Sequence, residues 1–353
     1  MRPSKYHFEL YTRNGNLIAD LSGRAKNRSI TQSRNEAEDI EWHVSLDDFE
    51  KYALMSNVDP RQLLIPGSTE VRIRREDKYL CGGQITYRNV DITSQSQDIE
   101  IRASGFLNLF LDRYTPEVRD FTATEATSIV ATVINESQAV DSNSNFGVTI
   151  GTLATVGAHD KTYKAQEIKS VLQDATKLWN FDFEFTPQKV FNTYAAIGSQ
   201  RPSIVFEHPG NIIALQSPLD ATNIKNRIYV LGSGSGSGDG ANVKVQVDDP
   251  NSQLNYWVRE ERINYSDVED TDALTAHGNA ELAAWSFPFE IPTIDVTGNV
   301  APYVTDYGIG DYVQLRCRRY KTLSQINGMF RIEKRTITID DNDNETVRLY
   351  LSK

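Results

Sequence analysis

Apolar and polar residues alternate with period two at both ends of the chain, a pattern that predicts strands. From Tyr6 to Ser104 the apolar positions fall at Phe8/Leu10, Leu17/Ala19/Leu21, Ile40/Trp42/Val44, Val71/Ile73, Ile85/Tyr87 and Ile99/Ile101. Asn14-Gly15 and Gly82-Gly83 read as turns between them. About six closely spaced strands predict a small antiparallel barrel or sandwich. One helix interrupts them, over about Leu46 to Met55, with Ser45 as its N-cap, and the chain leaves it towards Pro60.

Between Phe106 and Pro202 the period becomes helical. Thr122-Ala123-Thr124-Glu125 fits a capping box, and Ala126, Ile129, Val130, Val133 and Ile134 then share one apolar face. The polar run Asp141-Ser142-Asn143-Ser144-Asn145 ends that helix. A second helix is predicted over Thr162 to Trp179, with Ile168, Val171, Leu172, Ala175, Leu178 and Trp179 on one side. Phe181, Phe183 and Phe185 then alternate with Asp182 and Glu184, a strand with one buried face. This stretch reads as an α+β domain.

The strand pattern returns at Ile204-Val205-Phe206 and runs to Arg227-Ile228-Tyr229-Val230-Leu231, where it meets the flexible, solvated run Gly232 to Gly240. An insertion follows, with strands near Val243 to Val247 and Asn255 to Arg262 and a helix from Thr271 to Trp285. After Pro288 and Pro292 the alternation resumes at Ile294-Asp295-Val296 and continues to the end.

The closing stretch, Gly308 to Ser352, repeats Gly67 to Ser104. Gly310, Val313-Gln314-Leu315-Arg316-Cys317-Arg318-Arg319, Gly328, Phe330-Arg331-Ile332 and Val347-Arg348-Leu349-Tyr350-Leu351 follow the order of Gly67, Val71-Arg72-Ile73-Arg74-Arg75, Gly83, Ile85-Thr86-Tyr87 and Ile99 to Ser104. An Arg-Arg pair ends the first strand of each. The front halves agree too, Gly15-Asn16-Leu17-Ile18-Ala19 with Lys26-Asn27-Arg28 being echoed by Gly210-Asn211-Ile212-Ile213-Ala214 with Lys225-Asn226-Arg227. Self-similarity in the same order predicts a duplicated unit. The expected fold is mainly β with α+β character: an antiparallel β-barrel at 1–105, a helix-containing α+β domain at 106–202, a second barrel at 203–232 and 292–353, and an acidic insertion domain at 233–291 that splits it.

Bulk composition narrows the class. A chain of 353 residues with 39% hydrophobic content holds two to four domains at about 100–200 residues each. Of the formal net charge of −11, Ser233 to Ile291 carries −8, with 11 Asp/Glu against 3 Lys/Arg. Phosphate neutralisation needs concentrated Lys/Arg, which argues against a protein whose whole surface clamps nucleic acid, whereas a passive conduit whose wall repels DNA is compatible. Cys81 and Cys317 fall in different copies and read as reduced thiols. Met1-Arg2-Pro3-Ser4-Lys5-Tyr6-His7 lacks the apolar core of a signal peptide, and no apolar run approaches the roughly 20 residues of a membrane span, so folding in the cytosol is expected.

Candidate chemistry is sparse. No window of the Gly/Ser run fits G-x-G-x-x-G, no Lys follows it in Walker spacing, and a strand comes next, so it lacks the helix N-terminus that phosphate cradling needs. Asp340-Asp341-Asn342-Asp343-Asn344-Glu345 alternates oxygen ligands, but a calcium loop counted from Asp341 would need Gly at Thr346 and Glu at Ser352, so a polar β-turn is expected. His7, His43, His159, His208 and His277 show no metal spacing, and no G-x-S-x-G elbow occurs. Glu260-Glu261 reads as solvated surface unless the fold closes a cleft around it. No catalytic, cofactor-binding or metal residue is therefore expected, and no cofactor. Arg72/Arg74/Arg75 and Arg316/Arg318/Arg319 remain open: a solvated outer face, or a row that pairs with an acidic partner surface or a neighbouring subunit.

With Phe8-Glu9-Leu10-Tyr11 before Gly15-Asn16, Arg227-Ile228-Tyr229-Val230-Leu231-Gly232 running into the Gly/Ser loop, and Gly308-Ile309-Gly310-Asp311-Tyr312-Val313, the layout of the whole chain resembles a known family. It is similar to the hub, or tail-associated, proteins at the tail tip of long non-contractile-tailed phages, relatives of the baseplate hub of contractile phages. The resemblance implies a homotrimer in which each chain donates two tail-tube-like antiparallel β-barrel domains, giving a pseudo-sixfold ring under a sixfold tube. Its implied partners are the tail tube or distal tail protein ring, tip or fibre proteins, and the tape-measure protein and DNA that pass through the lumen without specific binding. Its place is the virion, after assembly in the host cytoplasm. Many tail-tip proteins continue into fibre, peptidase or cell-wall hydrolase regions, whereas this sequence stops after the last barrel strand. A distal tail protein that joins tube to hub and a cell-wall hydrolase or sugar-binding tail component are the alternatives, the latter motivated by the 10% aromatic content and the acidic insertion.

Overall fold

The alternating segments do form strands. The computed structural model describes residues 5–94, 96–233, 244–265, 270–290 and 292–353, and most of the Gly/Ser run lies outside them. In chain order the first part holds β1 (Tyr6–Tyr11), β2 (Leu17–Asp20), β3 (Ala25–Ser33), β4 (Asp39–Ser45), α1 (Leu46–Met55), β5 (Glu70–Arg75), β6 (Lys78–Ile92) and β7 (Gln97–Gly105). The middle part holds β8 (Arg119–Glu125), α2 (Ala126–Gln138), β9 (Thr149–Ile150), β10 (Ala158–Tyr163), α3 (Ile168–Trp179), β11 (Asp182–Phe185) and β12 (Val190–Tyr194). Then come β13 (Gln200–His208) and β14 (Ile212–Gln216). The next stretch holds β15 (Leu219–Asp220), β16 (Arg227–Gly232), β17 (Lys244–Asp248), α4 (Pro250–Tyr256), β18 (Glu260–Tyr265), α5 (Thr271–Trp285) and β19 (Phe289–Glu290). The chain closes with β20 (Thr293–Thr297), β21 (Tyr312–Cys317), β22 (Gly328–Ile339) and β23 (Glu345–Ser352). The architecture is mainly β with helices, as expected.

Two compact units result, Met1–Leu215 with Thr293–Lys353, and Gln216–Pro292. The larger unit is built on a sheet that holds 13 strands among the described residues, in the order β14-β20-β23-β22-β3-β4-β7-β6-β5-β1-β2, with β21 joining β22 to β13. Within it one strand order occurs twice. β3-β4-β7-β6-β5-β1 in the first half is matched by β14-β20-β23-β22-β21-β13 in the second. The register agrees in detail, because the ladder slips between Ile85 and Tyr87 in β6 and between Ile332 and Lys334 in β22, the same place in both hairpins. The copies differ at one pairing: β1 runs antiparallel to β5, whereas β13 runs parallel to β21.

The two halves meet on β22. Its first residues pair with β21, from Gly328↔Leu315 to Arg331↔Tyr312, and its last pair with β3, from Lys334↔Ser33 to Ile339↔Arg28. One continuous apolar core follows, including Phe8, Ile30, Trp42 and Val71 from the first half and Val313, Phe330, Ile337 and Leu349 from the second. Burial of each such side chain contributes about 1.5–3 kcal/mol.

The middle part has its own core, with Ile129, Val130, Val133 and Ile134 of α2 against Val171, Leu172 and Ala175 of α3 and Phe183, Phe185 and Phe191 of the strands. In the smaller unit β16 lies between β17 and β18, and Ile228, Val230, Val247, Leu274 and Leu282 form the core under α5. Gly278 lets α5 approach closely, since a Cβ there would stand 2.8 Å from Val230 and 2.9 Å from Val247.

Several sequence expectations are corrected. Gly82 and Gly83 lie inside β6 and form no turn; they are small because a Cβ on Gly82 would meet Phe106 and Pro187, and one on Gly83 would meet the Ser104 backbone. The capping box is absent. Thr122 and Thr124 lie in β8, where Thr124 pairs with His159, and Glu125 turns its carboxylate to the N–H groups of Val156 and Gly157, at 2.7 and 3.0 Å. Ser45 precedes α1 without a capping side-chain bond. α3 begins at Ile168, because Thr162 and Tyr163 are used in β10, and Leu178 is exposed. Asn255 and Tyr256 are helical. The overlooked signal is Asp249-Pro250, in which Asp249 accepts from the Ser252 N–H at 3.0 Å and Pro250 opens α4.

The repeat is corrected in three places. Gly15 to Ala19 leads into β2, whereas the matched Gly210 to Ala214 leads into β14, whose place in the strand order is that of β3. Arg227–Gly232, expected in the second barrel, pairs among the described residues with β17 and β18 alone, so Lys225-Asn226-Arg227 is no counterpart of Lys26-Asn27-Arg28. The ladder sets Arg74 opposite the role of Arg316, so the Arg318-Arg319 pair lies beyond the strand.

Across the seam, Arg75 Nε donates to Glu345 Oε1 at 2.8 Å, with side chains 4% and 0% exposed. Losing one partner strands a buried charge. Arg75→Met is expected to cost about 3–5 kcal/mol and Arg75→Met with Glu345→Leu far less. Denaturant unfolding of the three proteins checks this, and equal losses in single and double variants would contradict it.

Candidate assembly surface

The residues singled out from sequence do not converge on a reaction centre. Among the described residues no group of three or more His, Cys, Asp or Glu side chains could hold a metal ion. Each histidine is engaged locally: His7 with Asp20 at 3.1 Å and Ser22 at 2.7 Å, His43 near Glu41 at 3.9 Å, and His159, His208 and His277 stacked on Trp179, Tyr320 and Tyr265. Glu260 bonds Arg227 and Tyr229, while its neighbour Glu261 pairs with Lys225 at 3.0 Å on the other side of the strand.

Asp340 to Glu345 forms the expected polar turn. Asp340 accepts from the N–H groups of Asn342 and Asn344, both at 2.8 Å, and Arg28 donates to Asp343 at 2.7 Å. These carboxylates therefore tie the β22–β23 hairpin to β3.

The two arginine rows part company. Arg72 lies 4.1 Å over the Tyr11 ring, Arg74 pairs with Glu9 at 3.2 Å, and Arg75 is the buried seam residue. Arg318 and Arg319 face solvent, Arg318 only 3.9 Å from Glu207.

Sequence reasoning missed the polar joints. Asp182, expected on an outer face, is 3% exposed and receives Arg34 at 3.0 Å, Asn35 at 2.8 Å, Arg331 at 2.8 Å and the Ile197 N–H at 2.9 Å. Burial pushes its pKa up, but these donors and the Arg34 charge outweigh it and hold the carboxyl below its usual range. Asp182 thus pins the β3–β4 connection and β22 to the middle part. Arg335, at the centre of the seam, donates to the carbonyls of Val304 and Tyr307 at 3.0 and 2.7 Å and to Gln32 at 2.8 Å, and burial lowers its pKa.

Glu38, also in the β3–β4 connection, packs its carboxyl against Gly105, where any Cβ would collide with it. Burial, with the nearby charges of Glu184 and Asp39, pushes its pKa up to about 7.

Against these fixed joints, the outer part of β6 and the strand β14 each have an edge without a neighbouring strand among the described residues. The outer part of β6 is exposed, with Tyr87, Val90 and Ile92 at 43%, 44% and 65%. The corresponding Ile337 and Ile339 of β22 are 0% and 1% exposed, because β3 pairs along that edge. β14, which takes the place of β3 in the second half, ends the sheet among the described residues and exposes Ile213 at 60%.

No protein-family model matches the sequence, and no curated protein matches it. Solved structures do share its fold. The tail protein from Neisseria meningitidis has 13% identity and a TM-score of 0.69, covering 99% of this chain and 96% of that one. The prophage MuSo2 43 kDa tail protein from Shewanella oneidensis has 14% identity and a TM-score of 0.69, covering 98% of both chains. The E. coli c3393 protein, a type VI secretion component with structural similarity to the bacteriophage T4 tail proteins gp27 and gp5, has 11% identity and a TM-score of 0.54, covering 98% of this chain and 76% of that one. The fold is that of these tail proteins, which agrees with the family that the layout of the sequence resembles.

The Glu38 carboxyl ionises near 4.5 when unfolded and near 7 when folded, so stability falls as pH rises between those values. Glu38→Gln should then stabilise the protein above pH 7, by at most roughly 3 kcal/mol because Glu38 keeps some solvent contact, and little below pH 4.5. Urea unfolding on both sides of this window checks the sign, and a wild-type advantage at the higher pH would contradict it.

Proposed function

We propose that this chain is the structural hub of a phage tail tip. Three copies form a pseudo-sixfold ring from two tail-tube-like barrels each, the first over about 1–105 and the second split by the insertion. The ring caps the tail tube or distal tail ring, anchors tip or fibre proteins, and surrounds the channel through which tape-measure protein and DNA pass. It works without catalysis, as part of the virion.

The observation that carries this reading is the repeated strand order together with the unequal use of its edges. Within the chain, the outer edge of β22 in the second half is covered by β3 of the first. The counterpart edge, on β6, is open, and the counterpart of β3, which is β14, stands at the end of the sheet. Each copy therefore offers one edge and lacks the other, the head-to-tail complementarity that closes into rings. Exposed edges of this kind are liabilities unless another chain covers them. Three chains with two similar units each present six like faces, which answers the mismatch between a sixfold tube and a threefold tip. The likeness of the fold to phage tail proteins supports the same place in the particle.

Native mass spectrometry of the assembled ring should give three times the 39.8 kDa of one chain. Six copies would favour a distal tail ring, and a monomer that never associates with itself or with tube or tip proteins would contradict the hub. Val90→Lys with Ile92→Lys, at exposed positions, should leave monomer stability within about 0.5 kcal/mol and abolish the ring. Unchanged assembly in that variant would remove the β6 edge from the interface.

A further inference from the structure

A polar cleft separate from the open edges carries a charge surplus. It has a volume of about 690 Å³ and is walled by Arg13 in the β1–β2 turn, Arg72 on β5, Asn143 and Asn145 in the loop after α2, and Gln188 and Lys189 before β12. Lys189 is already committed, donating to Glu70 at 2.7 Å and to the carbonyls of Phe146 and Arg13 at 2.7 and 3.4 Å. Among the described residues the Arg72 side chain has neither an ion pair nor a hydrogen bond, lying over the Tyr11 ring with its Nε buried and without an acceptor. The carboxylate across the ladder from it, Glu9, is turned to Arg74, Tyr11 and Tyr79. The Arg13 side chain donates, among the described residues, to the Asn143 carbonyl alone, at 3.3 Å. Glu70 bonds Lys189 directly and also feels the Arg72 and Arg13 charges, so three cations share that one carboxylate, a positive surplus in a chain whose net charge is −11.

We propose that this cleft binds an acidic peptide segment of a partner protein, with a carboxylate on Arg72 and Arg13. The planar guanidinium fork matches a carboxylate in two parallel hydrogen bonds. The space is larger than one carboxyl group needs, and the amide side chains of Asn143, Asn145 and Gln188 are the groups that pair with peptide backbone. The walls are set before binding: Asp141 accepts from the Asn143 and Ser144 N–H groups at 2.7 and 2.9 Å, and Asn145 from the Gly147 N–H at 2.7 Å. A nucleic acid backbone is the poorer match, because its affinity grows from successive phosphate contacts and here the surplus is confined to one cleft.

The test uses the full chain and a fluorescent peptide of glutamates, followed by anisotropy at low and high salt. Saturable, salt-sensitive binding is expected, weakened about tenfold by Arg72→Gln. Arg13→Gln should weaken it less, and the exposed Arg318→Gln should leave it unchanged, with thermal melts showing that each variant folds. No binding, or equal binding to Arg72→Gln, overturns the proposal. So does displacement of the peptide by inorganic phosphate or a single-stranded oligonucleotide at concentrations lower than those at which unlabelled glutamate peptide competes.

Discussion

The larger unit depends on how one edge of β22 is divided. Strand pairing is directional and saturable, so residues of β22 that pair with β21 belong to the second half, and those that pair with β3 belong to the first. Because the bulge between Ile332 and Lys334 separates the two stretches, the strand can serve both sheets without losing its ladder to β23. Everything polar at the seam follows from that geometry. Arg75 and Glu345 face each other in the core, Arg335 must find carbonyls, and Arg28 holds the turn at Asp340 and Asp343. These bonds offset the cost of burying charge and fix one register.

Much of this could be read from the sequence. The period-two pattern places most strands of the main sheet, α1 and α5 span the ranges expected for them, and the repeat of Gly67 to Ser104 in Gly308 to Ser352 corresponds to β5-β6-β7 and β21-β22-β23. The misses have physical reasons. Gly82-Gly83 looks like a turn because glycine serves both turns and close approaches, and only the packing of Phe106 and Ser104 tells them apart. Asp182 alternates with phenylalanines and so reads as solvent-facing, yet Arg34 and Arg331, far away in sequence, come to it. Arg227 to Gly232 has strand composition, and nothing local says which sheet it joins. The open edge of β6 was invisible for a related reason: Val90 and Ile92 are as apolar as Ile337 and Ile339, and exposure is decided by the absent neighbour strand.

The same position in the repeat is used in two ways. Between β3 and β4 the connection is short and pinned by Asp182 at Arg34 and Asn35. Between their counterparts β14 and β20 the chain leaves to form the separate unit Gln216–Pro292, which holds its own sheet, its own core and most of the acidic excess. Duplication supplies two similar sheet units, and divergence at one loop gives each a different attachment. In the proposed ring this lets six faces stay alike toward the tube while the chains remain three.

The most direct test of that account is the rotational symmetry of the purified ring in averaged electron images. The account predicts a threefold ring in which six similar β layers line the lumen. A sixfold ring of identical lobes, or a particle in which the two halves of the chain do not alternate around the lumen, would contradict it.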